Sequence, residues 1–370
     1  MKNVLVSGAS VAGLTLAYWL RRHGFAATVV ERAPAVRPGG QAIDVRGVAL
    51  DVLDRTGILD EARGKRTRMR GMAMLDGQGE ELWSSTEMTY SSGQLDSPDI
   101  ELLREDLTAL LHRKAQEAGV EFLFDDSLTT LDEQADGVRA GFEQGPTRTF
   151  DLVVGADGLH SKVRQLAFGP EDQFVRHLGA YVTVFSTDNF LALDNWQVWL
   201  NEDQATYCLY PVRDNTEMRA TLGFRSEPIA YDHRDVEQQK ALMAARLAHV
   251  GWETPRLLDA MRQAPDFYFD SMAQTHMERW STGRVALVGD AGYCASPLSG
   301  QGTSLALVGA YVLAAELGRT GGDHIAAYAR YETRMRPFVH LNQALATENQ
   351  GGMASDESLE KAKNGITLDV

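Results

Sequence analysis

The N-terminal stretch changes its hydrophobic period twice. Val4-Leu5-Val6 is a continuous apolar run, as in a strand covered on both faces. Leu14 to His23 carries apolar residues at helical spacing, and Ala27-Thr28-Val29-Val30 returns to a buried strand ending at Glu31. Between the first strand and the helix lies the tight turn Gly8-Ala9-Ser10-Val11-Ala12-Gly13. Strand, glycine turn, helix, strand and acid in this order predict the dinucleotide-binding unit of a doubly wound sheet. Gly8 serves the turn and Gly13 lets helix and strand pack closely. Free N–H groups around Val11 and Ala12 present a partial positive charge to a pyrophosphate. Glu31 stands about where a carboxylate bonds a ribose hydroxyl. Ser10 takes the place of the middle glycine, where its small hydroxyl can donate a hydrogen bond. The same pattern also describes a structural turn that binds nothing. If it binds, it does not separate NAD from FAD, which share the ADP half.

Further on, Arg32 to Gly47 is loop-like, with a short strand within Gln41–Arg46. Short helices follow at about Val48–Thr56 and Leu59–Gly64, then a hairpin over Gly71–Ser84 that turns at Asp76-Gly77-Gln78-Gly79. An amphipathic helix starts near Arg104 and stops at Gly119. A strand Val120–Phe124, a β-meander to Phe150 and a buried strand Asp151–Gly155 come next. From Val175 to Arg225 the pattern alternates and is aromatic, which predicts an antiparallel sheet. Then come a helix Val236–Val250, a strand Phe267–Ala273, a buried strand Arg284–Asp290, and helices Gly302–Gly318 and Asp323–Gln350. Parallel-type strands at both ends and near 151 enclose the aromatic sheet, so the second domain is inserted. The expected organisation is an α/β Rossmann-like nucleotide domain (1–72, 98–175, 268–350), a sheet domain (73–97, 176–267) and a loosely held tail (351–370). The ligand pocket is expected between the two domains.

Composition narrows the partners. The 370 residues suffice for two domains with ample core, and the formal net charge of −15 argues against nucleic acid or an anionic membrane. Cys208 and Cys294 form no CxxC pair, and the nine histidines are scattered without metal-ligand spacing, so no metal site is expected. The first strand begins almost at the N-terminus, which leaves no room for a signal peptide, and no apolar run spans a bilayer. A cytoplasmic protein is expected.

Three motifs sharpen the picture: Arg104-Glu105-Asp106-Leu107 at a helix start, Gly155 to Arg164 around Asp157-Gly158, and Gly289-Asp290-Ala291 followed by Pro297 and Gly300-Gln301-Gly302. With the glycine turn, in this order and over essentially the whole chain, they resemble the flavoprotein monooxygenases of the para-hydroxybenzoate hydroxylase type. Within that group the chain is most similar to polyketide-hydroxylating and tetracycline-inactivating members. Residue chemistry agrees with a flavin. Asp290 can accept hydrogen bonds from ribityl hydroxyls. The helix opening at Gly300–Thr303 aims N–H donors at the pyrimidine edge of the ring, and Pro297 and the glycines bring backbone close to it.

The resemblance implies further FAD contacts at Arg104, Arg32 beside the adenine, Gly40 and Arg46 along the flavin, and Asp157, for which a turn-stabilising role is the plainer reading. It departs at Gly292-Tyr293 and Thr303-Ser304, near the ring. It also implies a catalytic cycle in which NADPH or NADH binds transiently and O2 gives a flavin C4a-hydroperoxide that hydroxylates an aromatic or polyketide-like substrate. The chemistry is then flavin-borne, with no catalytic side chain expected.

For the substrate, the inserted sheet offers Tyr181, Thr183, Gln197, Trp199, Tyr210, Arg213 and Phe224, with Trp196 and Tyr207 beside them. Aromatic stripes are more often core than pocket, so Gln197 and Arg213 stand out as polar groups among rings. Competing readings are a flavin halogenase, a flavin-dependent reductase and a non-catalytic nucleotide-binding protein. Asn195-Trp196-Gln197-Val198-Trp199-Leu200 lacks the W-x-W-x-I-P signature of the halogenases, and no membrane-binding helix suits a prenyl reductase. Oligomeric state is not legible.

Overall fold

Two sheets organise the chain, and the period of each segment decides which one it joins. The computed structural model describes residues 1–91, 93–348 and 354–369. The first sheet runs, in spatial order, Ser281–Thr282, Val285–Leu287, Leu152–Gly155, Asn3–Ser7, Ala26–Glu31 and Glu121–Phe124. All neighbours are parallel except the edge pair Ser281–Thr282 with Val285–Leu287. Val4, Leu5 and Val6 are wholly buried in one core with Leu14 and Leu16 of helix Val11–Arg22 and with Val138, Ala140 and Phe150 of a three-stranded antiparallel sheet, which is why they read as an unbroken apolar run. Helix Gly302–Arg319 packs between helices Val11–Arg22 and His324–Leu345, and Ser304 to Leu317 are all buried.

The second sheet has seven strands, in the order Tyr268–Thr275, Val175–Asp188, Glu217–Arg225, Ala205–Val212, Trp196–Glu202, Gly71–Leu75 and Glu81–Ser85. It is mixed, because Gly71–Leu75 lies parallel to Trp196–Glu202 with Gln197 opposite Met72 and Trp199 opposite Met74. One face, with Phe185, Leu200, Leu209 and Leu222, is buried under helices Val236–Leu247 and Thr254–Gln263. The other turns toward the nucleotide unit, where Cys208, Tyr210 and Val212 pack on Leu103 with Ala42, Met69 and Trp199.

Three boundaries move. Strand Tyr268–Thr275 pairs with Val175–Asp188 and closes the inserted sheet, so the division expected at 268 falls after Thr275 instead. Gly71 and Met72 belong to the same strand as Ala73, so the division at 72 falls inside an element. The tail is not loose between 354 and 369. Helix Asp356–Lys363 starts at a Ser355 cap, Lys363 donates to Asp99 at 2.8 Å, and Leu368 is 4% exposed. The last long helix is His324–Leu345, while 349–353 and 370, included in the expected helix and tail, lie outside the described residues. No helix among the described residues is long and apolar enough to cross a membrane.

Leu368→Ala is expected to cost about 2–5 kcal/mol in urea unfolding, the loss typical of a buried leucine. An unchanged midpoint would show that the C-terminal segment is not part of the core.

Candidate functional site

The glycine turn is built by contacts that exclude side chains. Gly8 has φ +107°, and a Cβ on it would lie 2.5 Å from the Ala156 carbonyl oxygen. A Cβ on Gly13 would lie 1.9 Å from the Gly8 oxygen, so the helix can start this close to the strand only with glycine there. Ser10 caps helix Val11–Arg22 with extended backbone, and its hydroxyl makes no capping bond. Glu31 is buried and braces the turn, accepting from the Ala9 N–H at 2.8 Å and from the Ala33 N–H at 3.0 Å. Each carboxylate oxygen still has a second lone pair for a ribose hydroxyl. Arg32, next to it, is exposed.

The loop before the Arg104 helix is folded around that arginine. Arg104 donates to the Gly39 carbonyl at 2.9 Å, and Gly40, at φ +101°, leaves no room for a Cβ beside the guanidinium. Burial and the neighbouring Arg37 lower the Arg104 pKa, while Glu105, Tyr268 and Glu31 oppose this. Arg46 is almost wholly buried, and its Nε has no partner among the described residues. It pairs with Asp44 at 3.0 Å, donates from Nη2 to the Ser91 carbonyl at 2.7 Å, and its backbone N–H donates to Ser304 Oγ at 3.1 Å.

The late segment closes over the turn. Gly289 adopts φ 65°, ψ −145°, a region open to glycine alone, and a Cβ there would sit 3.1 Å from Ala12 Cβ. Asp290 begins the next short helix, and its Oδ1 lies 4.0 Å from where a Gly302 Cβ would be. Asp290 has exposed surface, yet the enclosing protein pushes its carboxyl up to about 6, against the bond from Cys294. Ser296 is held at φ +71°, Pro297 is exposed, and Gly300 turns the chain at φ +62° into the helix that opens at Gly302 and half-buried Thr303. Gln301 is 0% exposed, and neither its side-chain oxygen nor its nitrogen has a partner among the described residues. A buried amide left unpaired costs about 1–3 kcal/mol per group. A flavin pyrimidine edge, which alternates carbonyl and N–H, has the matching chemistry.

Asp157 is spent on the fold. Oδ1 accepts from Ser161 Oγ at 2.5 Å and Oδ2 from the Val163 N–H at 3.0 Å, so it stabilises the turn and the short helix after it. Burial pushes its carboxyl up and those bonds pull it down. Arg164 of the same motif, not singled out in the sequence, is 1% exposed. It donates to the Ala291 carbonyl at 2.9 Å, tying this motif to Gly289-Asp290.

The substrate-side residues divide by sheet face. Tyr181, Thr183 and Phe224 do not face the nucleotide unit. Tyr181 stacks on Phe224 and Phe269 in the helix-covered core, and Thr183 bonds the Tyr268 carbonyl at 2.7 Å. Tyr207 is in that core too, while Trp196 packs at its margin. Tyr210 is buried and accepts from the Ala42 N–H at 2.7 Å. Arg213 pairs with Glu105 at 2.6 Å and Asp106 at 3.0 Å, so it docks the sheet onto the Arg104 helix. Gln197 and Trp199 are on the other face: Trp199 Nε1 donates to Gln197 Oε1 at 2.6 Å, and Gln197 Nε2 to Ser91 Oγ at 2.8 Å.

Sequence reasoning missed Trp83 and Tyr90, which extend Trp199 into a row of edge-on rings with centroids 5.7 and 5.4 Å apart. Trp83 faces Met74, which in turn faces Trp199, so correct pairing of the Gly71 hairpin would have found it. It also missed Tyr268 and Asp270 on the edge strand, joined by a 3.1 Å hydrogen bond.

Because the Asp290 carboxyl is raised, the folded ligand-free protein holds its proton from about pH 4 to about pH 6 while the unfolded chain has lost it. Stability therefore falls as pH rises through that window. Asp290→Asn is expected to be more stable than the unaltered protein at pH 8, by about 1 kcal/mol after solvent screening, and equal to it below about pH 4. Denaturant titrations at both pH values check this; a constant gap would refute it.

Comparison with known proteins converges on the same chemistry. The family described as FAD binding domain matches residues 1–342. An uncharacterized protein of Mycobacterium tuberculosis is 54% identical over 370 residues, covering 100% of this chain and 99% of that one. A flavin-dependent monooxygenase from an unknown prokaryotic organism is 40% identical, covering 100% and 96%. Among solved structures, the tetracycline destructases Tet(51) and Tet(55) superpose with TM-scores of 0.90 and 0.87 at 34% and 38% identity, each covering 100% of this chain and 99% of the other. A family match over residues 1–342 and 40% identity to a flavin-dependent monooxygenase over the whole length agree with the glycine turn and the Gly289-Asp290 segment, and the chain belongs to the FAD-dependent monooxygenases.

Proposed function

We propose that this enzyme uses NAD(P)H and O2 to hydroxylate a planar aromatic or polyketide-like small molecule, tetracycline-type antibiotics included. The observation that carries the reading is Gln301, a wholly buried amide at the start of the Gly302 helix whose polar atoms are both unmatched among the described residues. FAD, when bound, supplies the redox and oxygen chemistry. The chain's own residues bind, orient and exclude water. The start of helix Val11–Arg22 and Arg104 meet the phosphates, Glu31 and exposed Arg32 the adenosine end, and Asp290 the ribityl chain. Gln301, Gly302 and Thr303 take the pyrimidine edge, with the helix dipole favouring negative charge there.

The substrate class rests on the second sheet. Trp199, Tyr90 and Trp83 present ring edges and faces in a row, suited to a flat multi-ring ligand. The likeness to Tet(51) and Tet(55) supports a tetracycline-type member of that class. One glycine fingerprint is visible in the sequence, so the nicotinamide cofactor visits rather than resides. Localisation in the cytoplasm is part of the same proposal.

The test is substrate-stimulated NADPH consumption across phenols, polyketides and tetracyclines, with heavy oxygen from O2 traced into product. Consumption that yields only hydrogen peroxide with every compound would refute the hydroxylase reading. Asp290→Ala is expected to purify with little flavin. Gln301→Met, an apolar near-isostere, is expected to weaken FAD about tenfold, the loss of about 1.4 kcal/mol of hydrogen bonding, while the ligand-free protein becomes more stable. FAD affinity equal to that of the unaltered protein would remove Gln301 from the site.

A further inference from the structure

A second cluster lies where the Asp157-Gly158 turn meets the edge of the inserted sheet. His160 follows the turn, Glu171 starts a 3-10 turn, and His233 sits in the loop before helix Val236–Leu247. His160 Nδ1 is 2.9 Å from Glu171 Oε1, and the His160 and His233 rings are 3.9 Å apart at their centroids. One potential ligand atom from each of the three residues lies within 4.8 Å of the others. We propose that His160, Glu171 and His233 form a three-ligand site for a divalent transition-metal ion such as zinc, with water in the fourth position.

Two imidazoles and one carboxylate are a donor set that zinc accepts, at about 2.0–2.2 Å per bond, which puts two tetrahedral ligand atoms about 3.4 Å apart. The His160–Glu171 pair is within that reach as it stands. His233 closes the remaining distance by a small ring movement. It is exposed, it touches His160 and Tyr231 through its ring, and among the described residues no hydrogen bond fixes either of its nitrogens.

The surroundings are arranged as a metal site's supports are. His160 Nε2 is 3.0 Å from Asp270 Oδ1, so Nε2–H donates to Asp270 and the Nδ1 lone pair is left for the ion. Asp270 is itself held, accepting from the Ser271 N–H at 2.7 Å and from Tyr268 Oη at 3.1 Å. The second Glu171 oxygen accepts from Arg164 at 3.1 Å, which leaves Oε1 to ligate. Without an ion, His160 bridges two carboxylates; a divalent cation takes the place of the proton between Nδ1 and Glu171. The cluster is not legible in the sequence, because its other members lie 11 and 62 residues from Glu171 and the three belong to separate segments. Bound there, the ion cross-links the nucleotide unit to the His233 loop of the inserted unit, independently of flavin.

The test is calorimetric titration of chelator-treated protein, otherwise as purified, with Zn2+, and Co2+ as a spectroscopic probe. One ion per chain, a tetrahedral Co2+ spectrum and a Zn2+-dependent rise in melting temperature are expected. His233→Ala, a change at an exposed position, and Glu171→Gln are each expected to lose at least tenfold in Zn2+ affinity, whereas His249→Ala, at an exposed histidine outside the cluster just after helix Val236–Leu247, keeps it. No saturable binding, or His233→Ala binding as tightly as the unaltered protein, overturns the proposal, as does equal loss in His249→Ala.

Discussion

Close backbone approach at glycine is the constraint on which the rest of the molecule depends. Gly8 meets Ala156, Gly13 meets Gly8, and Gly289 meets Ala12, each at a distance that a methyl group would violate or strain. Segments separated by more than a hundred residues are thereby brought to one point, with helix starts and carbonyls rather than side chains at the junction. Arg164 fastens the arrangement from behind by holding the Ala291 carbonyl. A ligand that spans this point meets the start of one helix at Val11 and of another at Gly302, so its two ends are read by separate dipoles.

The inserted sheet is docked by charge as well as by apolar contact. Arg213 and Arg219 converge on Glu105, and Arg219, 3% exposed in its side chain, also pairs with Glu217 at 2.9 Å. Glu105 and Glu217 stay partly exposed, so solvent screens these pairs, and the buried guanidinium keeps one carboxylate when the other is removed. Arg219 further donates to the Gly40 carbonyl at 3.2 Å, and Tyr210 holds the Ala42 N–H, so the loop beside Arg104 is gripped from the sheet side. From the same sheet the series Trp199, Gln197, Ser91 and Arg46 leads by hydrogen bonds to Ser304 at the start of the Gly302 helix. The aromatic row and the start of the Gly302 helix are parts of one bonded network.

What the sequence disclosed follows from the range of each interaction. The first unit, the Arg104 helix and the Gly289–Gly302 segment were legible because turn, cap and period are local properties. The sheet faces were not. Tyr181 and Trp199 look alike along the chain, but pairing puts Tyr181 beneath helices and Trp199 against Met74 on the opposite face. Arg213 is a polar residue among rings, as a substrate ligand would be, yet its partners Glu105 and Asp106 lie 108 and 107 residues away. Strand Tyr268–Thr275 was recognised as a strand and assigned to the wrong sheet, since no local pattern says which edge it completes.

The parallel strand Gly71–Leu75 carries one more consequence. It comes from a segment upstream of the Arg104 helix and is laid against Trp196–Glu202, so the polypeptide passes between the two sheets four times before it reaches Val285. No single cut frees either half, and neither can melt without dragging on the covalent path of the other. Each half is closed only by chain that has already passed through the other, an arrangement unlike two beads on a string.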